Sequence, residues 1–296
     1  MLDVVKTRKI WFVLSGAVII AGIIALALFG LNFGVDFRGG SFSEIKFTSS
    51  EPEPSQIQEA LTDLSLGNII VQKTAEGTYN VRTRELSSEE HESVLSKLST
   101  AYGETTELRF TNIGPTISSE ITRRAVYQLL LVTAGILAYI AWAFRKVPRP
   151  LSSWRFGWAA IAALIHDVLV VVGVFAILGQ FLNVEIDALF VTALLTVLGF
   201  SVHDTIIVFD RIRENLRRLS SLPFAEVVSR SINQTIVRSI NTSTTVIFVL
   251  LALLLFGGES IRYFTLALLI GIVAGTYSSI FFASPLLYIF HKKRFL

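Results

Sequence analysis

Apolar residues in this chain gather into six long runs, separated by polar stretches of unequal length. The runs lie near Ile10–Leu31, Ala125–Phe144, Phe156–Leu178, Ile186–Phe209, Ile240–Phe256 and Phe264–Phe290. Each approaches the roughly 18–20 apolar residues that carry an α-helix across a bilayer core. The pattern therefore predicts six transmembrane helices. The fifth run is the weakest by hydropathy, because it opens on Asn241-Thr-Ser-Thr-Thr245.

Between the first two runs, at 32–122, the pattern changes to one of ordinary polar composition. Alternation predicts strands at Ser41–Thr48, Asn68–Lys73, Thr78–Arg84 and Thr105–Thr111. Helical spacing predicts helices at Ser55–Leu64 and Ser87–Tyr102. Glu76-Gly77 supplies a hairpin turn, and Ser87 ahead of Glu89-Glu90 starts the second helix, although Ser88 and His91 form no capping box. The order βαββαβ is that of a ferredoxin-like α+β sandwich. The expected fold is thus an all-α six-helix membrane bundle with this domain inserted. Glu89, Glu90 and Glu92 read as a solvated helix face.

Charge then orients the chain. The chain is 52% hydrophobic and only 17% charged, below the soluble average of about 25%. A net charge of +3 is no argument for nucleic acid. Basic residues cluster at the amino terminus (1–9), in the loop Arg145–Arg155, in the segment 210–239 and in the tail 291–296, so these read as cytoplasmic. The domain at 32–122 is then extracytoplasmic, and helices two to six occupy 123–290. A cleavable signal peptide, with Ala25-Leu-Ala27 as its site, is disfavoured by the length of the first run. Pro223 starts a helix in the 210–239 segment. Its apolar positions Phe224, Val227, Val228, Ile232 and Ile236 suit either a basic amphipathic helix on the inner leaflet or a helix packed on the bundle base. The last run carries Gly271-Ile-Val-Ala-Gly275 for close packing, a small-residue face that Ser278 and Ser279 continue, and Ser284-Pro285 for a kink.

The candidate chemistry lies inside the membrane, where ionisable groups are costly and each is a functional candidate. His166 and Asp167 fall near the midpoint of the third run, pointing about 100° apart. Asp204 adjoins a polar or small stripe of Thr192, Thr196, Gly199 and His203. That stripe must line a helix contact or a wet cavity, and a desolvated carboxylate beside it suits proton uptake and release. Arg238 reads most simply as an interfacial residue, and Asp210-Arg211 as part of a salt-bridged helix end. There is no cysteine, the four histidines lack zinc-type spacing, and no catalytic triad or phosphate loop is present. No enzyme, metal or cofactor is expected.

Several segments together resemble the SecF family of protein-export subunits, over nearly the whole chain. They are Gly34-Val-Asp36-Phe-Arg-Gly39-Gly40, Ile113-Gly-Pro-Thr116, Leu198–Asn215 with its Ser-Val-His203-Asp204-Thr and Asp210-Arg211, Arg238-Ser-Ile-Asn-Thr-Ser243, and Phe256-Gly-Gly258. His203 departs from the asparagine usual in the family. The resemblance implies the resistance-nodulation-division architecture of the bacterial inner membrane, with SecD supplying six further helices. It also implies work beside the SecYEG channel, with proton flow coupled to movement that draws out a translocating polypeptide among membrane lipids. On that analogy Asp204 and Arg238 join the proton-responsive network, with Asp167 in support, and the main proton carboxylate lies on SecD. A half-size exporter of lipids or small molecules is disfavoured by the single outer domain. A non-transporting assembly subunit, whose buried charges only hold subunits together, stays open.

Overall fold

The computed structural model describes residues 3–74, 77–145 and 152–292. Glu76 of the expected hairpin turn, most of the basic loop after Arg145 and the tail beyond Lys292 lie outside the described residues. The chain divides into two units, Met1–Asn32 with Val126–Leu296, and Phe33–Ala125.

The larger unit holds six helices long and apolar enough to cross a membrane. They are α1 (Arg8–Phe29), α5 (Pro115–Ala143), α6 (Ser153–Leu182), α7 (Ala188–Arg218), α8 (Phe224–Phe256) and α9 (Glu259–Ser278), which continues through a π-turn (Ser279–Ala283) into α10 (Ser284–Lys292). Local chemistry sets the boundaries. Asn183 in left-handed conformation ends α6, and the Asp187 side chain accepts from the Phe190 amide at 2.9 Å to start α7. Pro285 has no N–H to give to the preceding turn. The helix widens there, and the Ser284 hydroxyl donates to the Ser279 carbonyl at 3.0 Å.

Three boundaries differ from expectation for a common reason, one of them the end of α7, which lies at Arg218 rather than near Phe209. The second, fourth and fifth membrane helices run beyond their apolar cores, because polar residues at their ends keep helical bonding once outside the hydrocarbon. α5 begins at Pro115 rather than near Ala125, and α8 begins at Phe224, so segment 224–239 is no separate surface helix. Val228 and Ile232 are fully buried against Phe209, Ile212 and Leu287. The bundle-base alternative is therefore the correct one.

α6, α7 and the α9–α10 helix form the centre, with 50–56% of their apolar windows buried against 11–17% in α1, α5 and α8. Close crossings depend on glycine. A Cβ on Gly173 would lie 2.5 Å from the Gly22 Cα, which fixes α1 against α6. Gly271 and Gly275 bring α9 onto Val197 and Ser201 of α7. At the end where α1 begins and α10 finishes, Phe144 stacks on Phe156 and both meet Phe209 edge-on, with centroids 4.9–6.1 Å apart.

The smaller unit contains α2 (Val35–Arg38), β1 (Gly40–Phe47), α3 (Pro54–Leu61), β2 (Ile70–Lys73), β3 (Tyr79–Thr83), α4 (Ser88–Tyr102) and β4 (Thr105–Ile113). The sheet is antiparallel with order β2-β3-β1-β4. α3 and α4 cover a core of Ile45, Phe47, Ile57, Leu61, Tyr79, Val81, Val94 and Leu98. A capping box does start α4, one residue earlier than the register tested above. The Ser87 hydroxyl accepts from the Glu90 amide at 3.2 Å, and the Glu90 carboxylate accepts from the Ser87 amide at 2.9 Å. Glu90 also pairs with Arg84, so of the three glutamates only Glu89 and Glu92 are exposed.

Candidate functional site

Two buried carboxylates sit where the central helices meet. Asp204 on α7 is completely buried. Its Oδ2 accepts from the Ser243 hydroxyl of α8 at 3.3 Å and from the Thr276 hydroxyl of α9 at 3.4 Å. Ser243 and Thr276 are themselves 2.6 Å apart. The other oxygen, Oδ1, has no hydrogen-bond partner among the described residues, nor has the buried Ser239 hydroxyl on α8. Buried polar atoms are nearly always paired, so this carboxyl is held open on one side.

Asp167 on α6, also completely buried, is by contrast saturated. Its Oδ1 lies 2.9 Å from His166 Nδ1. Its Oδ2 accepts from Ser201 of α7 at 2.5 Å and from Ser278 of α9 at 2.9 Å. The His166 ring packs between Tyr277 and Phe282, with centroids 5.9 and 5.2 Å away. Tyr277 in turn lies 3.1 Å from the Ser15 hydroxyl of α1. The Thr205 and Ser279 hydroxyls meet at 2.9 Å, and Ser279 donates to the Ser201 carbonyl at 3.3 Å. One polar layer thus joins all three central helices.

The remaining candidates fall elsewhere. His203 is exposed on this chain, as are Thr192, Thr196 and Gly199, so the polar stripe lines no contact within the bundle. It occupies the face beside Asp204 rather than the face that buries it. Arg238 is exposed and forms no ion pair or hydrogen bond among the described residues, so it is not brought to Asp204. Asp210 pairs with Arg213 at 2.5 Å, and Arg211 donates to Gln234 of α8 at 2.6 Å. Asn215 donates to both Ser231 and Gln234 at 2.8 Å. These bonds tie the ends of α7 and α8 together.

The glycine motif has a steric reason. Gly39 and Gly40 take φ of +76° and +112°, and a Cβ on Gly40 would lie 2.6 Å from the Thr83 carbonyl oxygen. Gly34 precedes α2, where Asp36 occupies the first turn. Sequence reasoning missed Thr276, and it placed Ser278 and Ser279 only in a packing face. Their hydroxyls on an apolar helix, at the spacing that faces α7, were the available signal. Among the described residues no cluster of three or more metal-ligating side chains occurs.

Comparison with known proteins gives the family. Residues 93–293 match the family described as protein export membrane protein SecD/SecF, C-terminal, and residues 24–51 match the SecD/SecF GG motif. The chain is 50% identical to the protein translocase subunit SecF of Thermobaculum terrenum, covering 100% of this chain and 96% of that protein. It is 42% identical to that of Anaerolinea thermophila, covering 99% and 95%. The crystal structure of SecDF from Thermus thermophilus, a translocon-associated membrane protein, superposes with a TM-score of 0.85 at 32% identity. That match covers 99% of this chain but only 39% of the SecDF chain. With a family model spanning most of its length and relatives alike from end to end, the chain belongs to the SecD/SecF family of protein-export membrane proteins, as a multi-pass accessory subunit of the SecF type.

Proposed function

We propose that this subunit is one half of a proton-driven export motor. A SecD-type half completes it, and the assembly draws polypeptide from the SecYEG channel. The observation that carries the reading is Asp204, a fully buried carboxylate with one oxygen unpartnered at a three-helix junction. Beside it runs the exposed stripe of Thr192, Thr196, Gly199 and His203, with Arg238 exposed on α8. Polar surface of this kind is disfavoured against lipid, which supports a second membrane half packed over it. Relatives that carry both halves in one chain support the same partner, such as the protein translocase subunit SecDF of Brucella abortus.

In this reading Asp204 takes up and releases a proton, and Ser243 and Thr276 answer by exchanging partners. Each proton crossing the membrane releases about 2.3 kcal/mol per 100 mV, enough to bias a two-state helix contact. Arg238 and His203 meet groups of the partner half, and Asp167 holds the central helices in register. Both termini and the segment 210–239 are cytoplasmic, following the basic residues. The sheet unit lies outside, and its strand order supports a ferredoxin-like, split-βαβ reading. The subunit moves polypeptide and catalyses no covalent step.

The test is gradient-dependent export of a secreted precursor with Asp204→Asn, with co-purification of the SecD-type partner in the same samples. Loss of the gradient-dependent part with the complex intact is the expected result. Unchanged export, or loss of the complex itself, would instead make Asp204 structural and favour an assembly subunit.

A further inference from the structure

α8 buries a ridge of hydroxyls in the bundle. Ser231, Thr235, Ser239 and Ser243 recur at four-residue spacing, the period of one helix ridge, and each is only 0–7% exposed. Contacts with α7 mark both ends. Ser243 donates to Asp204 Oδ2 at 3.3 Å, and Ser231 accepts from the Asn215 side-chain amide at 2.8 Å. Asn215 also donates to Gln234, which is exposed, so the Ser231 end reaches the surface. Between these contacts α7 carries the fully buried, apolar Val208 and Ile212.

Three of the four hydroxyls are occupied at rest. Ser231, Thr235 and Ser243 each donate to the carbonyl four residues back, at 2.7, 3.0 and 2.9 Å, a common bond of a helical hydroxyl. Ser239 makes neither that bond nor any other among the described residues, and Asp204 Oδ1 on α7 is equally without a partner. Buried polar atoms of this kind are few and mark places where water or an ion is exchanged. Successive hydroxyls on the ridge stand about 6 Å apart along the axis. One water with two hydrogen bonds of about 2.8 Å spans about that distance. We infer that this ridge is one half of a proton path, joining Asp204 to the end of the bundle where α7 finishes and α8 begins, with Ser239 as its relay. The inference rests on the proton-coupled reading above. The exposed stripe from Thr192 to His203 reaches Asp204 from the opposite end of α7, so the two stripes abut at this carboxyl. A water beside Asp204 passes its proton to the Ser239 oxygen, and the Ser239 hydroxyl proton leaves to a water on the Thr235 side. One proton enters and one departs. Ser239 turns between these roles without first breaking a bond to its own helix, unlike its three neighbours.

The test measures gradient-dependent export in membrane vesicles carrying the full chain with its SecD-type partner, beside unfolding of the purified chain in mixed micelles. Ser239→Ala should slow the gradient-dependent part roughly 5-fold, as expected for loss of one hydrogen-bonded station. Its unfolding free energy should stay level or rise, since only an unpaired hydroxyl is removed. Ser239→Thr keeps the hydroxyl and should restore the rate. A wild-type rate in Ser239→Ala, or a slow one in a stably folded Ser239→Thr, overturns the inference. So does a slow Ser239→Ala that has also lost stability, which makes Ser239 a packing residue. Thr235→Val interrupts the ridge one turn on with the same side-chain shape. It should slow export alike, and it decides the matter if Ser239→Ala does not assemble. Asp204→Asn separates the two claims. If it abolishes gradient-dependent export while Ser239→Ala is silent, the path alone fails; if it too is silent, the proton-coupled reading fails.

Discussion

Removing the Asp167 side chain tests whether the polar layer holds the central helices together. In Asp167→Ala three groups lose an acceptor: His166 Nδ1, Ser201 and Ser278. The Ser278 hydroxyl already has the Gly275 carbonyl at 3.2 Å as an alternative, so it costs little. The other two are stranded in a site with no solvent access. A stranded buried donor costs about 1–3 kcal/mol in water-soluble proteins. Interhelical bonds within membranes average only about 0.6 kcal/mol and reach about 1.7. The lower scale applies here, because the unfolded chain also finds partners inside the membrane. Two donors and a small void together predict a loss of about 2–3 kcal/mol. Asp167→Asn keeps the shape and one acceptor oxygen, and is expected to lose less than about 1 kcal/mol. Reversible unfolding of the purified chain in mixed micelles measures both, and a double-mutant cycle with Ser201→Ala isolates the α6–α7 bond. If alanine costs under about 0.5 kcal/mol, or if asparagine costs as much as alanine, the hydrogen-bond account is wrong.

In the sheet unit, the Arg84 guanidinium, aided by the Ser87 amide, holds the Glu90 carboxyl down to about 2 from an ordinary 4.5. Its folded value is depressed, so its stabilisation is complete above about 4.5 and disappears as pH falls toward about 2. The protection factors of amides at the start of α4, corrected for intrinsic exchange, should fall across that window in the wild type and stay flat in Glu90→Gln; parallel profiles would refute the pairing. Among the membrane helices, Gly173→Ala pushes a Cβ to 2.5 Å from the Gly22 backbone, while Gly16→Ala meets nothing within 4 Å. The first should lower unfolding free energy by about 1–3 kcal/mol and the second should be neutral or stabilising. Equal effects would remove the close crossing from the explanation.

Six spans, their sequence order and the order of elements in the inserted unit were legible, because hydropathy and strand alternation act over short windows. Boundaries at Pro115 and Phe224 were not, since helices carry polar residues at no cost once outside the hydrocarbon. Asp167 and Asp204 stood out as isolated carboxylates in apolar runs. Their different states, one saturated and one half open, did not. That difference arises from hydroxyls at 201, 243, 276 and 278, brought together from three helices. Spacing along one helix did not tell that the Thr192–His203 stripe is exposed on this chain, because a periodic face carries no label for which neighbour covers it.

The unbroken course of α8 has a mechanical consequence. At about 1.5 Å per residue, Phe224–Phe256 is roughly 50 Å long, some 20 Å more than a hydrocarbon core. Ser243, the residue that touches Asp204, stands about 28 Å from the Phe224 end. A tilt of about 5° pivoting there would sweep that end through roughly 2.5 Å, comparable to a helix shift at a switching interface. In the proton-coupled reading proposed above, an ångström-scale exchange of hydroxyl partners would thereby be magnified along a rigid rod. Gln234 and Ser231, bonded to Arg211 and Asn215 of α7, sit on the long arm and would register the stroke.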